Sequence, residues 1–110
     1  VLRDLLPPTR PRVVTIQAIQ TAVAEFFRIR PEEMRAKRRT KDLAFPRQVA
    51  MYLARELTDA SLPRIGEEFG GRDHTTVIHA CQRVREILRN DAHLTASLKH
   101  LTEDLQRHSG

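Results

Sequence analysis

A glycine pair in the second half of this chain, with its flanking residues, leaves little freedom of fold. Gly70 and Gly71 follow Leu62-Pro63-Arg64-Ile65-Gly66-Glu67-Glu68-Phe69 and precede Arg72-Asp73-His74-Thr75-Thr76-Val77-Ile78-His79-Ala80. Glycine enters positive φ without a Cβ penalty, so the pair can end one helix and turn the chain sharply. Pro63 is tolerated in the first turn of the short helix before it. Asp73, His74, Thr75 and Thr76 then open a longer helix, where Asp and Thr can cap free N–H groups. A run of consecutive polar groups is more than a cap requires, and leaves donors and acceptors for something outside the helix. A short helix, a glycine turn and a longer helix with a polar tip read as a helix-turn-helix.

The remaining helices follow from apolar spacing. Thr15 can cap a helix whose residues Ile16, Ile19, Val23, Phe26 and Phe27 are expected in the core. Pro31 with Glu32 and Glu33 marks a second, short helix start, where carboxylates suit the positive end of the dipole. The next helix is predicted from about Leu43 to Leu57, with Pro46 in its first turn. Phe45, Val49, Tyr52, Leu53 and Leu57 share its inward side, while Arg47, Gln48, Arg55 and Met51 fall on the outer arc. Thr58 to Ser61 is a turn, and Ser61 can cap the helix that follows. In the long helix after the glycine pair, Val77, Cys81, Val84 and Leu88 point inward. Thr75, His79, Gln82 and Glu86 point outward, with Thr76 and Arg83 beside them. Asn90-Asp91 breaks the pattern, and Leu94, Leu98, Leu101 and Leu105 form a last packing helix, too short a stripe for a coiled coil. The expected fold is all-α, a compact bundle of about six helices containing the helix-turn-helix.

The chain has 110 residues, enough for a single domain with a modest core. Residues 1–14 read as the end of an interdomain helix (Val1, Leu2, Leu5, Leu6) and a connector stiffened by Pro7, Pro8 and Pro11. Residues 15–110 are the domain itself. A start on Val1 fits a C-terminal piece of a larger protein. The lone Cys81 excludes an internal disulfide and suits a reducing, cytoplasmic setting. No apolar run is long enough for a membrane span, and no leader pattern opens the chain. Lys and Arg outnumber Asp and Glu by 19 to 14. Residues 28–47 alone hold eight basic groups and three acids, which is the whole of the net +5. A basic cluster on a neutral scaffold points to a polyanionic partner. Within it, Lys37-Arg38-Arg39-Thr40-Lys41 has no apolar periodicity and reads as a loop, either a solvated face or a nucleic-acid contact.

Catalysis finds no support in the residue spacings. His74 and His79 have no Cys or carboxylate that completes a ligand set, and His93, His100 and His108 belong to the exposed side of the last helix, so no metal is expected. Cys81 and His79 lie two apart on a helix, so their side chains diverge and cannot share the hydrogen bond a thiolate and its base need. No phosphate-binding G-x-x-x-x-G-K-[ST] is present, so nucleotide chemistry lies outside these residues. The chain reads as a binding module without a cofactor.

A duplex DNA partner accounts for the pieces together. The major groove accepts a helix whose first residues reach base edges. Asp73 can accept from an exposed amino group of cytosine or adenine, His74 can donate or accept, and the Thr75 and Thr76 methyls suit a thymine methyl. Arg47, Gln48 and Arg55, beside the basic loop, can grip phosphates. The plain alternatives are an N-cap for Asp73 and ordinary surface for Thr75 and His79.

Gly-Gly-Arg-Asp-His-Thr-Thr-Val-Ile-His-Ala, with Leu62-Pro63-Arg64-Ile65-Gly66 upstream and Lys37-Arg38-Arg39…Pro46-Arg47-Gln48 further back, resembles the signature of the C-terminal DNA-binding domain of DnaA, the bacterial replication initiator. The likeness covers essentially everything after the first dozen residues. It implies a helix-turn-helix bundle akin to the Trp repressor's, binding double-stranded DnaA boxes of the type TTATNCACA at the replication origin. It implies that Arg39 enters a minor groove, and that Asp73, His74 and Thr75 read the major groove. It further puts Arg47, Gln48, Leu62, Pro63, Arg72, Thr76 and His79 on or near the DNA backbone, some touching bases. Lys37 and Arg38 of the basic loop are expected to contact the backbone as well. ATP belongs to a separate ATPase module of such initiators. The expected partners are box DNA, the rest of the initiator and regulatory proteins, with the isolated domain a monomer in the bacterial cytoplasm at the nucleoid. Lys41, Asp42 and Arg64 depart from the family pattern. Two other readings remain: an ordinary helix-turn-helix regulator, although no dimer stripe is evident, and a helical adapter whose basic loop meets an acidic protein.

Overall fold

Thr15 starts the first helix as its spacing predicts: its hydroxyl accepts from the Ala18 N–H at 3.0 Å. The computed structural model describes residues 14–36 and 41–108. The elements are α1 (Ile16–Phe27), a one-turn 3-10 helix (Pro31–Met34), α2 (Lys41–Leu57), α3 (Leu62–Glu68), α4 (His74–Asn90) and α5 (Ala92–His108). Among the described residues there is no strand, and the chain is all-helical. Val14, the last residue of the expected connector, is buried in the core. The rest of that connector lies outside the described residues.

Helix α2 is the centre of the bundle, packed against α1, the 3-10 turn, α3 and α4, while α5 closes over α1 and α4. Its central place changes the expected inside and outside of α2. Leu43, Val49, Ala50, Met51, Leu53 and Ala54 are all buried, so Met51 is core and not part of an outer arc. Phe45, Tyr52 and Leu57, expected inward, are only half-buried. A helix with neighbours on several sides has no single wet face. It also begins at Lys41, two residues before the expected start, which leaves Pro46 inside the helix and not in its first turn. There its missing N–H leaves the Asp42 carbonyl without the usual partner four residues on.

One core expectation of α1 needs correction. Phe26 is 41% exposed. Phe26 instead sets its ring edge-on to Phe27, 5.0 Å away, and Phe27 in turn meets Phe45 at 5.7 Å. Helix α1 ends on Arg28 in the left-handed conformation (φ 61°, ψ 45°), with the Ile29 N–H reaching back to the Ala24 carbonyl at 2.9 Å.

Ser61 caps α3, its hydroxyl accepting from the Arg64 N–H at 3.2 Å. Phe69, fully buried, anchors the end of that helix. Gly70 and Gly71 both take positive φ, 93° and 76°, as the turn demands. Val77, Ala80, Cys81 and Val84 carry α4 into the core. Asp91 ends α4 and caps α5 through its carboxylate, which accepts from the Leu94 N–H at 2.9 Å.

Candidate nucleic-acid interface

The tip of α4 is built so that its polar side chains are left over. Asp73 holds the N-cap position in extended geometry, and its backbone carbonyl accepts from Thr76 at 3.0 Å and Val77 at 3.3 Å. Its carboxylate makes no capping hydrogen bond, so the plain N-cap reading fails for the side chain. That carboxylate lies 3.2 Å from Nδ1 of His74, with 70% of the Asp73 side chain and 56% of the His74 side chain exposed. Thr75, Thr76 and His79 stand exposed on the same helix, followed by Gln82 and Arg83. The result is a projecting row of donors, acceptors and methyls that the fold itself does not use.

Two other elements carry the remaining expected contacts. Pro63 and Arg64 of α3 are exposed, Leu62 is half-buried, and Arg64 pairs with Glu68 at 3.3 Å. On α2, Gln48 is half-buried and Arg55 is exposed. Arg85 of α4 meets Glu56 of α2 at 3.3 Å, an exposed pair worth ~1 kcal/mol or less. Lys37, Arg38 and Arg39 lie outside the described residues, but the chain on either side of them is described. Ala36 and Lys41, the first residue of α2, flank that segment.

Arg47 does not stand where its sequence position implied. It is 4% exposed, and its Nε and Nη2 donate to the Glu33 carbonyl oxygen at 3.0 and 2.7 Å. This is a correction to its place on an outward, phosphate-facing arc. α2 is buried on that side too, and the guanidinium is taken up by the 3-10 turn. Its neighbour Met51 was the clue, since an apolar residue on a supposed wet arc signals burial. Arg72 is half-buried as well, and its Nη2 donates to the Ala36 carbonyl at 3.2 Å. Gly70 belongs to the same contact: a Cβ there would come within 2.8 Å of the Arg35 carbonyl oxygen. The turn before α4 is thus packed against the chain that enters the basic segment. Sequence reasoning named these residues but missed this contact, since it joins positions far apart in the chain.

Cys81 is buried, and its thiol approaches the Met51 carbonyl at 4.0 Å. Burial pushes its pKa up, with Arg55 and Arg85 pulling it down and Glu56 raising it further. A thiol held neutral inside the core is a packing group, not a nucleophile. Among the described residues, no cluster of His, Cys, Asp and Glu could hold a metal ion, and no helix is long and apolar enough to cross a membrane.

The family model described as the bacterial dnaA protein helix-turn-helix matches residues 16–84, from the first residue of α1 into α4 and across more than half of the chain. The matched span contains α3, the glycine turn, the first part of α4 and every α2 and α3 residue named above, whereas the end of α4 and α5 lie beyond it.

Proposed function

This chain belongs to the family of bacterial DnaA helix-turn-helix domains, and we propose that it recognises double-stranded DnaA boxes of the TTATNCACA type at a replication origin. Such a domain is a DNA-binding unit and not a catalytic one, so the question is which DNA and by which residues. The observation that carries the reading is the unused polar tip of α4. A carboxylate at an N-cap that makes no capping bond, beside an exposed imidazole and two exposed threonines, presents a cluster of polar groups to an outside partner.

In this reading Asp73, His74, Thr75 and Thr76 meet base edges in the major groove. Asp73 would be repelled by phosphates, so it requires a base amine opposite it, which makes it a reader and not a clamp. Arg39 enters the neighbouring minor groove, where a narrow A·T-rich groove attracts guanidinium. Lys37, Arg38, Gln48, Arg55, Leu62, Pro63 and His79 approach the backbone. ATP would be handled by another part of the initiator. The domain acts as a monomer on an asymmetric site, in the cytoplasm at the nucleoid, with regulatory proteins free to use its other faces.

The test is a mobility shift with a labelled box duplex against scrambled competitor at stated salt. Box preference that survives added competitor, with affinity falling as salt rises, is the expected result. Equal competition by box and scrambled duplex would remove the proposal.

A further inference from the structure

We propose that Gln20 is a positioning residue for DNA recognition: from α1 it closes the end of α3 and so sets the direction of the reading tip. The inference rests on the DNA-binding reading above and deepens it by naming what aims the tip.

The last carbonyls of a helix have no donor within it, so the end of a short helix is held by whatever supplies one. In α3 the Gly66 carbonyl accepts from the Phe69 and Arg72 N–H groups at 3.1 and 2.8 Å, and the Glu67 carbonyl from Gly71 at 3.3 Å. Glu68 is the last residue of the helix, and its carbonyl is met from elsewhere. Nε2 of Gln20 donates to it at 2.7 Å, across 48 residues of chain. Gln20 is 2% exposed. Burying an amide costs free energy unless it is hydrogen-bonded, so a glutamine among the buried residues of α1 is committed to this bond. One turn earlier on α1, Gln17 donates to the Glu68 carboxylate at 3.2 Å, and Arg64 donates to its other oxygen at 3.3 Å. Glu68 is thus held by backbone and side chain together.

The chain that follows Glu68 cannot aim itself. Gly70 and Gly71 take positive φ, and glycine admits so many conformations that the pair permits the turn without choosing its angle. The angle comes from anchors on either side. Behind the pair stand the buried Phe69 ring and the Gln20 bond, and ahead of it the Arg72 N–H on Gly66. Asp73 follows directly, and with it the row that meets base edges. Short side chains reach a base only from close, well-aimed placement, so an error at Glu68 is carried into the tip. Phosphate contacts are more forgiving, because attraction between charges acts over a Debye length. Loss of Gln20 is therefore felt in discrimination before it is felt in general affinity.

The experiment measures box and scrambled duplex binding by fluorescence anisotropy at several salt concentrations, for wild type, Gln20→Met, His74→Ala and the pair. Circular dichroism melts fix an assay temperature at which every variant is folded. Gln20→Met keeps the length of the side chain and removes its donor. It is expected to lower the preference for box over scrambled duplex on the order of tenfold. Scrambled affinity and salt slope should stay at the wild-type level, since no phosphate contact is lost. The pair should lose less than the product of the two single losses, because the tip that Gln20 aims has already lost a reader. A folded Gln20→Met chain with wild-type preference would overturn the inference and leave the DNA reading intact. So would losses that multiply fully in the pair, or that fall equally on both duplexes, the mark of a fold weakened as a whole. A wild-type chain that cannot tell box from scrambled duplex takes down both. Should Gln20→Met melt below the assay temperature, Gln20→Asn takes its place, keeping the amide on a stem one methylene too short to reach.

Discussion

The backbone of Gly66 in α3 lies directly against the backbone of Arg72. The Arg72 N–H donates to the Gly66 carbonyl at 2.8 Å, and a Cβ built on Gly66 would collide with the Arg72 carbonyl oxygen. The angle between the two helices of the motif depends on this approach. Gly70 and Gly71 let the chain turn, while Gly66 lets the turned chain come close.

Gly66→Ala should therefore be costly although it adds one methyl. The atom in the way is backbone and cannot rotate aside, so the helices must separate. A loss of about 1–3 kcal/mol is expected. Thermal melting should show it as a drop of several degrees for a domain of this size. Unchanged melting would mean that the α3–α4 approach is looser than described.

Arg47→Met is expected to destabilise the fold by about 2 kcal/mol or more. It removes charge-assisted bonds and leaves the Glu33 carbonyl without its two donors. Arg55→Ala, an exposed neighbour on the same helix, should stay within ~0.5 kcal/mol of wild type. Urea titration of the two variants side by side makes the comparison. Equal midpoints would contradict the buried assignment of Arg47.

The tip of α4 should separate binding from stability. His74→Ala and Thr75→Ala are expected to leave melting within ~0.5 kcal/mol, while each reduces the preference for box over scrambled duplex by about 1–3 kcal/mol. Asp73→Ala is the sharper case. Loss of a working N-cap usually costs ~1 kcal/mol. Here the carboxylate caps nothing, so the stability loss should be smaller than that. Competition binding and melting on the same samples decide it.

Cys81 gives a pH prediction with a definite sign. Burial raises its folded pKa above the unfolded value. Folding thus favours the neutral thiol, and this contribution is complete below the unfolded pKa of ~8.5. It is lost as pH climbs from there through the raised folded value. Stability measured by denaturant should fall on that alkaline side, and Cys81→Ala should remove that part of the fall. In the native chain at pH 8, an aromatic disulfide reagent should react slowly with the thiol and quickly once denaturant is added.

Local rules were enough for much of this molecule. The helix starts at Thr15 and Ser61, the glycine turn, the inward stripe of α4 and its exposed polar tip all follow from capping, φ freedom and helical period. These effects act within a turn or two of chain, so a sequence displays them directly. The concentration of basic charge between residues 28 and 47 is equally plain in the sequence. Periodicity, however, says only which residues share a face, not how many faces find a neighbour. That is why α2 misled: packed on several sides, it buried Met51 and Arg47, which its period alone assigned to water. Phe26 went the other way, expected inside and left 41% exposed, its ring set edge-on to Phe27. The closeness of Gly66 to Arg72, and of Arg72 to Ala36, joins segments whose meeting is set by packing of the whole bundle. Only the tertiary structure could decide that the basic segment begins beside the tip of α4, since the contact that holds it there spans 36 residues of chain.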